Sequence, residues 1–276
     1  MASSADARSA SEEAALFQRK GDWFHPTPFT TGPWRPDAMH GGPPSALFGL
    51  AISTALEPDE QVARINVELE RPVPIAPLIT HVVRRQISRR VVRLDVELRT
   101  ATATVASARA VVLRGGAPVA LIDGVASTVR QLVGPEAVSR GPDPAHDSPV
   151  VFHREAVEAR YVEGNWTVPG PGTAWMRLRC PLIAGEPTPG LSELLGVADF
   201  SSALSQSVLP GSGVAMINVD VSVALTRMPL GPWFCLASRS DVGDSGIGLS
   251  VTKLFDRAGA LGVITTSQLA QRFAGA

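Results

Sequence analysis

The pattern of apolar and polar positions divides the chain into two halves with the same plan. In the first half, residues 39–54 form an apolar segment rich in small residues, which predicts a buried helix. Runs that alternate apolar and polar residues follow it, at 64–71, 78–85, 91–98 and 105–113. Such alternation is typical of half-buried strands. A helix followed by consecutive antiparallel strands predicts an α+β unit in which a sheet wraps one helix.

The second half repeats this order, which predicts a pseudo-dimer within one chain. Residues 191–208 form its predicted helix, and its strand-like runs lie at 152–162, 174–180, 216–227, 233–241, 248–255 and 260–268. The opening of one run, Ile217-Asn218-Val219, matches Ile65-Asn66-Val67 of the first half. We therefore expect a mobile N-terminus over 1–20, an N-terminal unit over 21–125, a linker over 126–149 and a C-terminal unit over 150–276.

Composition and charge narrow the classes of function. With 276 residues the chain can bury a large core without disulfides, and Cys180 and Cys235 lack the spacing of a metal or redox motif. The formal net charge of -1 provides no field that would attract nucleic acid. No segment has the length of a membrane span, and the Ser- and Ala-rich start is unlike a signal peptide. We expect a cytoplasmic protein with no nucleic-acid partner.

The candidate chemistry of the first half lies in the loop His40-Gly41-Gly42, which leads into the predicted helix. Two glycines let a ligand approach the backbone, and the positive end of the helix dipole would stabilise charge that develops on a carbonyl oxygen. These three residues are therefore candidates for oxyanion and substrate binding. A tight turn before a core helix is the other interpretation.

The order of these features resembles that of the double hot-dog acyl-CoA thioesterases, especially bacterial acyl-CoA thioesterase II. The resemblance extends over nearly the whole chain from about Phe24 and rests on His40-Gly41-Gly42, Arg71-Pro72, Asp199, run 216–227, Trp233, and Asp256 to Gln268. It implies two tandem hot-dog units and a hydrolase of fatty acid metabolism that converts fatty acyl-CoA to fatty acid and CoA. Coenzyme A would be part of the substrate, with no metal and no other cofactor. Because exposed sheets and edges commonly pair, we expect a homodimer or homotetramer.

The resemblance also implies a catalytic site in the second half. In the family, an Asp on the second helix, a Thr or Ser on the next strand and a Gln on the last strand hold the attacking water. These positions fall on Asp199, Asn218 and Gln268. Asn218 departs from the family hydroxyl, although an amide can both donate to a water and accept from it.

An internal comparison predicts that only one site survives. The first half has Leu50 where the family's single-unit relatives place the helix acid, and an offset of 156 residues sets Val112 opposite Gln268. The first half therefore keeps the glycine loop and the second keeps the polar residues. We expect N–H groups near Gly41 and Gly42 to face a water at Asp199, across the pseudo-two-fold axis.

Arg89 and Arg90, in an arginine-rich hairpin, are candidates for CoA phosphate contacts, and a solvated hairpin tip is the other interpretation.

Other functions remain as alternatives. The Asn218 departure favours a catalytically silent acyl-CoA-binding protein. An enoyl-CoA hydratase-like enzyme is disfavoured because no histidine follows His153. The chain has no Gly-x-Ser-x-Gly elbow of a serine hydrolase.

Overall fold

The computed structural model describes residues 14–33, 35–116, 133–138, 150–208 and 212–272. The N-terminal unit contains a hairpin, a helix and four strands: β1 (Phe17–Lys20), β2 (Trp23–Pro26), α1 (Gly42–Thr54), β3 (Glu60–Glu68), β4 (Ile79–Ser88), β5 (Val91–Arg99) and β6 (Thr104–Arg114). Most of the predicted linker lies outside the described residues, and so do residues 1–13.

The C-terminal unit repeats this arrangement with extra elements. Its elements are α2 (Phe152–Glu155), β7 (Val157–Glu163), β8 (Gly172–Leu178), α3 (Gly190–Ala198), a 3₁₀ turn (Asp199–Ser201), β9 (Val214–Asn218), β10 (Asp220–Leu225), β11 (Phe234–Val242), β12 (Ile247–Asp256) and β13 (Gly259–Arg272). No helix in the described ranges is long and apolar enough to cross a membrane.

One antiparallel sheet joins the two units. Its strand order is β4-β5-β6-β3-β10-β13-β12-β11-β8-β7, and β9 also pairs with β13. The units meet where β3 pairs with β10, so the sheet runs without interruption from one unit to the other. This continuous sheet, with one helix from each half against it, agrees with the two tandem hot-dog units that the resemblance implies.

The helices α1 and α3 cross at close range because glycines stand at the contact. A Cβ atom on Gly49 would lie 2.6 Å from the Cα of Ser192, and one on Gly42 would lie 2.4 Å from the carbonyl oxygen of Gly196. Only residues without a side chain allow two backbones to approach this closely. Almost all of α1 is buried, which explains why its sequence is apolar on every side.

A constant offset of 156 residues relates the strands of the two units. Val62 pairs with Val112 in the first unit, and Asn218 pairs with Gln268 at the corresponding place in the second. Asn66 pairs with Ser222, which is its own counterpart at this offset, so the pair lies on the pseudo-two-fold axis. The match between Asn66 and Asn218 is therefore wrong as an alignment, because the counterpart of Asn218 is Val62.

Three predicted elements differ from the structure. The run 216–227 forms two strands, because the chain breaks at the exposed Val219 between β9 and β10. The helix predicted over 191–208 ends at Ala198, where the chain tightens into the 3₁₀ turn. Residues 152–155 form a helical turn, closed by the bond from the Ala156 N–H to the Phe152 carbonyl, so β7 begins only at Val157.

The N-terminal hairpin bonds to both units. Strand β1 lies within the segment that the sequence assigns to a mobile terminus, and the Phe17 N–H donates to the Leu182 carbonyl at 2.9 Å. On the other side, the Phe24 N–H of β2 donates to the Leu78 carbonyl at 2.7 Å. The hairpin is thus a bridge between the two halves, outside the main sheet.

Candidate active site

Asp199 stands at the end of α3, where the helix gives way to the 3₁₀ turn. Its side chain is 11% exposed. The Asn218 Nδ2 donates to the Asp199 Oδ1 at 2.7 Å and also to the Asp199 carbonyl oxygen at 3.0 Å. One amide therefore fixes both the backbone end of the helix and the orientation of the carboxylate.

Gln268 lies beside this pair because β13 and β9 align it with Asn218. Its side chain is buried, and the amide oxygens Gln268 Oε1 and Asn218 Oδ1 have no hydrogen-bond partner among the described residues. Buried acceptors of this kind are normally satisfied, often by an ordered water. The structure brings Asp199, Asn218 and Gln268 together, as the resemblance implies.

The loop His40-Gly41-Gly42 of the first unit faces this group. A Cβ atom on Gly41 would lie only 2.6 Å from the Asp199 Oδ2, so the carboxylate rests against the Gly41 backbone. The His40 Nδ1 is 3.3 Å from the same oxygen and accepts the Gly42 N–H at 3.1 Å. Residues from both halves therefore form one cluster across the pseudo-two-fold axis.

The first turn of α1 offers fewer N–H groups than the sequence suggests. Pro43 and Pro44 carry no N–H, and the Gly42 N–H donates to His40. Gly41 is therefore the residue of this turn that can present an N–H group to a ligand. It stands at the positive end of the helix dipole.

Beyond His40 lies a group of aromatic side chains that we call the six-ring cluster, formed by His40, Phe152, His153, Tyr161, Trp166 and Phe200. Phe200 stacks on His40 with ring centroids 4.8 Å apart, and Phe152 lies 5.0 Å from it. The centroid of the Trp166 ring lies 5.6 Å from that of Tyr161, 6.3 Å from that of His153 and 6.2 Å from that of Phe200. The cluster places an apolar wall directly beside Asp199.

Comparisons with known proteins connect this geometry to a family. The profile described as acyl-CoA thioesterase N-terminal domain matches residues 30–123, and the profile described as acyl-CoA thioesterase C-terminal domain matches residues 135–270. The chain belongs to the acyl-CoA thioesterase family. It is a thioester hydrolase with one family domain in each half.

Solved structures identify the fold of this thioesterase as a double hot-dog. It superposes on a conserved hot-dog protein of unknown function from Alicyclobacillus acidocaldarius with a TM-score of 0.69 and 17% identity, covering 97% of this chain and 99% of that one. For acyl-CoA thioesterase II TesB2 from Mycobacterium marinum the TM-score is 0.61 and the identity 16%, with coverage of 97% and 99%. At such identities the likeness shows the fold alone. A search of curated protein sequences gave no significant match.

Both histidines of the cluster are held neutral by their surroundings. Burial lowers the pKa of His40, against the opposing effect of the Asp199 carboxylate. Burial, with smaller effects from His40 and Arg154, lowers the pKa of His153 to about 4. A neutral imidazole can accept a hydrogen bond, which fits the donation from the Gly42 N–H to His40.

We expect the stability of this thioesterase to fall as pH drops from 6.5 towards 4. In this range unfolded His153 binds a proton and the folded residue does not, so the free energy of unfolding decreases with falling pH. His153→Phe removes this contribution and should flatten the pH dependence of the urea midpoint, measured in steps from pH 7 to 5. An unchanged dependence in the variant would contradict a buried, neutral His153.

The structure does not bring Arg89 and Arg90 to the cluster. They form the turn between β4 and β5, where the Arg90 carbonyl accepts the Arg114 N–H at 3.0 Å. On the same hairpin, Arg84 donates to the carbonyl of Ala55, which caps the C-terminal end of α1. Asp199 contacts the opposite, N-terminal end of α1. At about 1.5 Å per residue, the two ends of this helix are roughly 20 Å apart, so the arginine hairpin and Asp199 lie at opposite ends of it.

Sequence reasoning missed an acidic cavity next to the site. Its volume is about 350 Å³, and its lining residues are Glu68, Leu69, Glu70, Val219, Asp220 and Ser267. Leu69 lies both in this cavity and beside the catalytic group, because the Leu69 Cδ1 would be 3.0 Å from a Cβ atom on Gly41. The alternating pattern placed these residues on strands, but only the break at Val219 and the seam between β3 and β10 make them neighbours.

Proposed function

We propose that this thioesterase hydrolyses fatty acyl-CoA with a water molecule held by Asp199, Asn218 and Gln268. The observation that carries the proposal is the 2.7 Å bond from Asn218 to the Asp199 carboxylate, with Gln268 aligned beside it. One water can donate one hydrogen to the oriented carboxylate and the other to an amide oxygen that lacks a partner, which suits its binding and activation.

The reaction follows from these positions. The water oxygen attacks the thioester carbonyl carbon while Asp199 accepts a proton from the water. The carbonyl oxygen becomes negative, and the N–H group of Gly41 at the start of α1 stabilises it. The C–S bond then breaks, the sulfur takes up the proton that Asp199 accepted from the water and leaves as the thiol of CoA, and the fatty acid is released with the Asp199 carboxylate restored. No step requires a metal or a redox cofactor.

His40 supports the oxyanion group in this proposal. Its Nδ1 accepts the Gly42 N–H and thereby holds the turn between the glycines and Asp199. The neutral state of the ring leaves Nδ1 free to accept that bond, so His40 is a positioning residue here.

Asn218 takes the place of the family hydroxyl through its two donor hydrogens. A Thr or Ser has one O–H, whereas the Asn218 amide reaches both the carboxylate and the carbonyl of Asp199 and keeps its oxygen for a water. The departure is therefore compatible with hydrolysis.

We expect Asn218→Leu to lower kcat for acyl-CoA roughly 10- to 100-fold, because the carboxylate loses a charge-assisted hydrogen bond and its fixed orientation. The measurement is release of free thiol from acyl-CoAs of short to long chains. Asn66→Leu is the matched control, since Asn66 lies on the pseudo-two-fold axis and bonds only to Glu68 among the described side chains. Equal effects of the two changes would contradict the role of Asn218.

One observation favours a second candidate, an enoyl-CoA hydratase-like enzyme. The sequence argued against it because no histidine follows His153, yet the fold brings His40 of the first unit within 3.3 Å of Asp199. Such a pair could move the protons needed to add water across a carbon–carbon double bond. Loss of the conjugated enoyl absorbance without thiol release would identify the hydratase. Binding of acyl-CoA without either reaction would identify a silent protein.

The cellular location and the oligomeric state of the enzyme also belong to the proposal. A cytoplasmic location and a homodimer or homotetramer remain predictions from the sequence. Light scattering across a concentration series measures the oligomeric state directly.

A further inference from the structure

The outer face of the sheet, opposite the two long helices, has a gap close to the catalytic group. Strand β9 runs past the end of β3 and, among the described strands, pairs with β13 alone. The acidic cavity lies at this gap, and Leu69 separates it from Gly41. Glu68 and Asp220 at its border belong to the outer face, because the neighbouring valine on each strand is buried. The cavity therefore opens on the outer face, within one side chain of the catalytic group.

Arginines form a row across the same face, further along β3. Arg64 on β3 pairs with Val111 on β6, and Val111 pairs in turn with Arg93 on β5. Arg93 also pairs with Arg85 on β4. We call Arg64, Arg85 and Arg93 the basic row. Like charges directly opposite each other on neighbouring strands are destabilising, so the pair of Arg85 with Arg93 needs a reason other than stability.

The chain supplies little negative charge to balance the basic row. Asp95 is the carboxylate that pairs with it among the described residues, and it is shared: it lies 2.6 Å from the Arg109 Nε and 3.7 Å from the Arg85 Nε. Arg64 and Arg93 make no hydrogen bond or ion pair with another described residue. These arginines therefore leave an excess of positive charge on the outer face, which suits a ligand with several negative charges.

The order of charges along β3 matches the layout of CoA. Glu68 at the cavity and Arg64 in the basic row are four residues apart, which is about 13 Å along a strand. With the thioester at Asp199, the uncharged amide arm of CoA can pass the carboxylates of the cavity, and when extended it reaches the basic row. Phosphates are repelled by those carboxylates and attracted by the arginines. Two residues after Val111, the exposed Leu113 offers an apolar surface to the adenine ring.

We propose that the basic row binds the phosphate groups of CoA while the thioester lies at Asp199. The inference rests on the proposed thioesterase function and assigns the nucleotide part of its substrate to the outer face of the sheet. Arg64 and Arg93 stand on either side of Val111, two strand spacings or about 10 Å apart. At this separation they contact different phosphates of one molecule, the diphosphate and the 3′-phosphate.

The test measures the binding of CoA itself, which does not depend on hydrolysis. Isothermal titration calorimetry at low salt gives the Kd of CoA for the wild type, Arg64→Gln, Arg93→Gln and the double variant. Each single change should raise this Kd about tenfold, as expected for the loss of a charge-assisted hydrogen bond, and the double change should raise it further. Added salt should weaken CoA binding less in the double variant than in the wild type, because fewer charges are there to be screened.

Steady-state kinetics adds a comparison that isolates the phosphates. The same variants should raise KM for octanoyl-CoA and leave kcat unchanged, because the arginines lie far from the reacting atoms. They should leave kcat/KM for octanoyl-pantetheine unchanged, because that thioester has the amide arm and lacks every phosphate.

Arg239→Gln is the matched control. Arg239 is an exposed arginine on β11 of the other unit, with Asp241 at 3.9 Å. Its replacement removes one positive charge from the sheet and should leave the Kd of CoA unchanged. The melting temperature checks folding, and it should not fall in Arg93→Gln because the repulsion between Arg93 and Arg85 is removed.

The outcomes separate this inference from the proposed function. An unchanged Kd of CoA in the double variant overturns the inference, and so does an absence of CoA binding by the wild type. Equal losses with octanoyl-CoA and octanoyl-pantetheine also overturn it, because the variants would then disturb the catalytic group. If CoA binding weakened only on replacement of Arg89 and Arg90, the phosphates would lie at the hairpin tip and the inference would be wrong. A raised Kd without thiol release from any acyl-CoA supports the phosphate site and overturns the proposed hydrolysis.

Discussion

Asp199→Asn should lower kcat for acyl-CoA hydrolysis by about 100-fold or more, the range typical of losing a general base. The substitution replaces one carboxylate oxygen with an NH₂ of nearly the same size. Its remaining oxygen can still accept the Asn218 amide, so the geometry of the 3₁₀ turn is preserved. The variant loses the ability to take a proton from the water. Thiol release under saturating acyl-CoA measures the effect.

Two comparisons make the Asp199→Asn result decisive. The melting temperature should change little, because the hydrogen bonds of the turn survive. Asp241→Asn, at a side chain that is 78% exposed on β11, is the control for a general loss of negative charge. If kcat of Asp199→Asn stayed within a few-fold of the wild type, Asp199 would not be the base.

Gly41→Ala should reduce kcat on the order of 100-fold by displacing the same carboxylate. The added Cβ would lie 2.6 Å from the Asp199 Oδ2 and 3.0 Å from the Leu69 Cδ1, so the carboxylate has to move. A displacement of about 1 Å in a reacting group can cost that factor. The backbone at Gly41 is right-handed helical, with φ of -63°, so alanine introduces no backbone strain there.

The effect of Gly41→Ala should therefore appear in kcat much more than in stability. Gly115→Ala is the matched control, because a Cβ at Gly115 would meet nothing within 4 Å. Steady-state kinetics and denaturant unfolding on both variants provide the measurement. A fully active Gly41→Ala would show that the site tolerates movement of Asp199, which is incompatible with a carboxylate that has to be held in place.

Much of the fold could be predicted because strands such as β5 and β12 alternate between a buried and a more exposed face. The alternation between these faces gave the strands of both units, and the helix of the first unit was apparent from its continuous apolar sequence. The break at Val219 could not be predicted, since an exposed valine continues the apolar pattern. The short match of Asn66 with Asn218 misled for a related reason: three residues are too few to fix a register.

The candidate site, like the fold, could be predicted only in part from the sequence. Asp199, Asn218 and Gln268 came from the resemblance, which encodes their order along the chain. The contact of His40 with Asp199 joins residues of different units and depends on how the helices cross. Trp166 lies in a loop without periodicity, so no pattern could place it next to the acid. Long-range packing decides such neighbours.

The hairpin that bonds to both units has a consequence for how the chain is made. The residues of β1 leave the ribosome long before their hydrogen-bond partner Leu182 emerges. At synthesis rates of about 5–20 residues per second, this interval is on the order of ten seconds. During that time the N-terminal unit can form its own strands, while β1 has nothing to bond to in the second half. Closure of the hairpin onto Leu182 is therefore a late event of folding, which follows the appearance of the second unit.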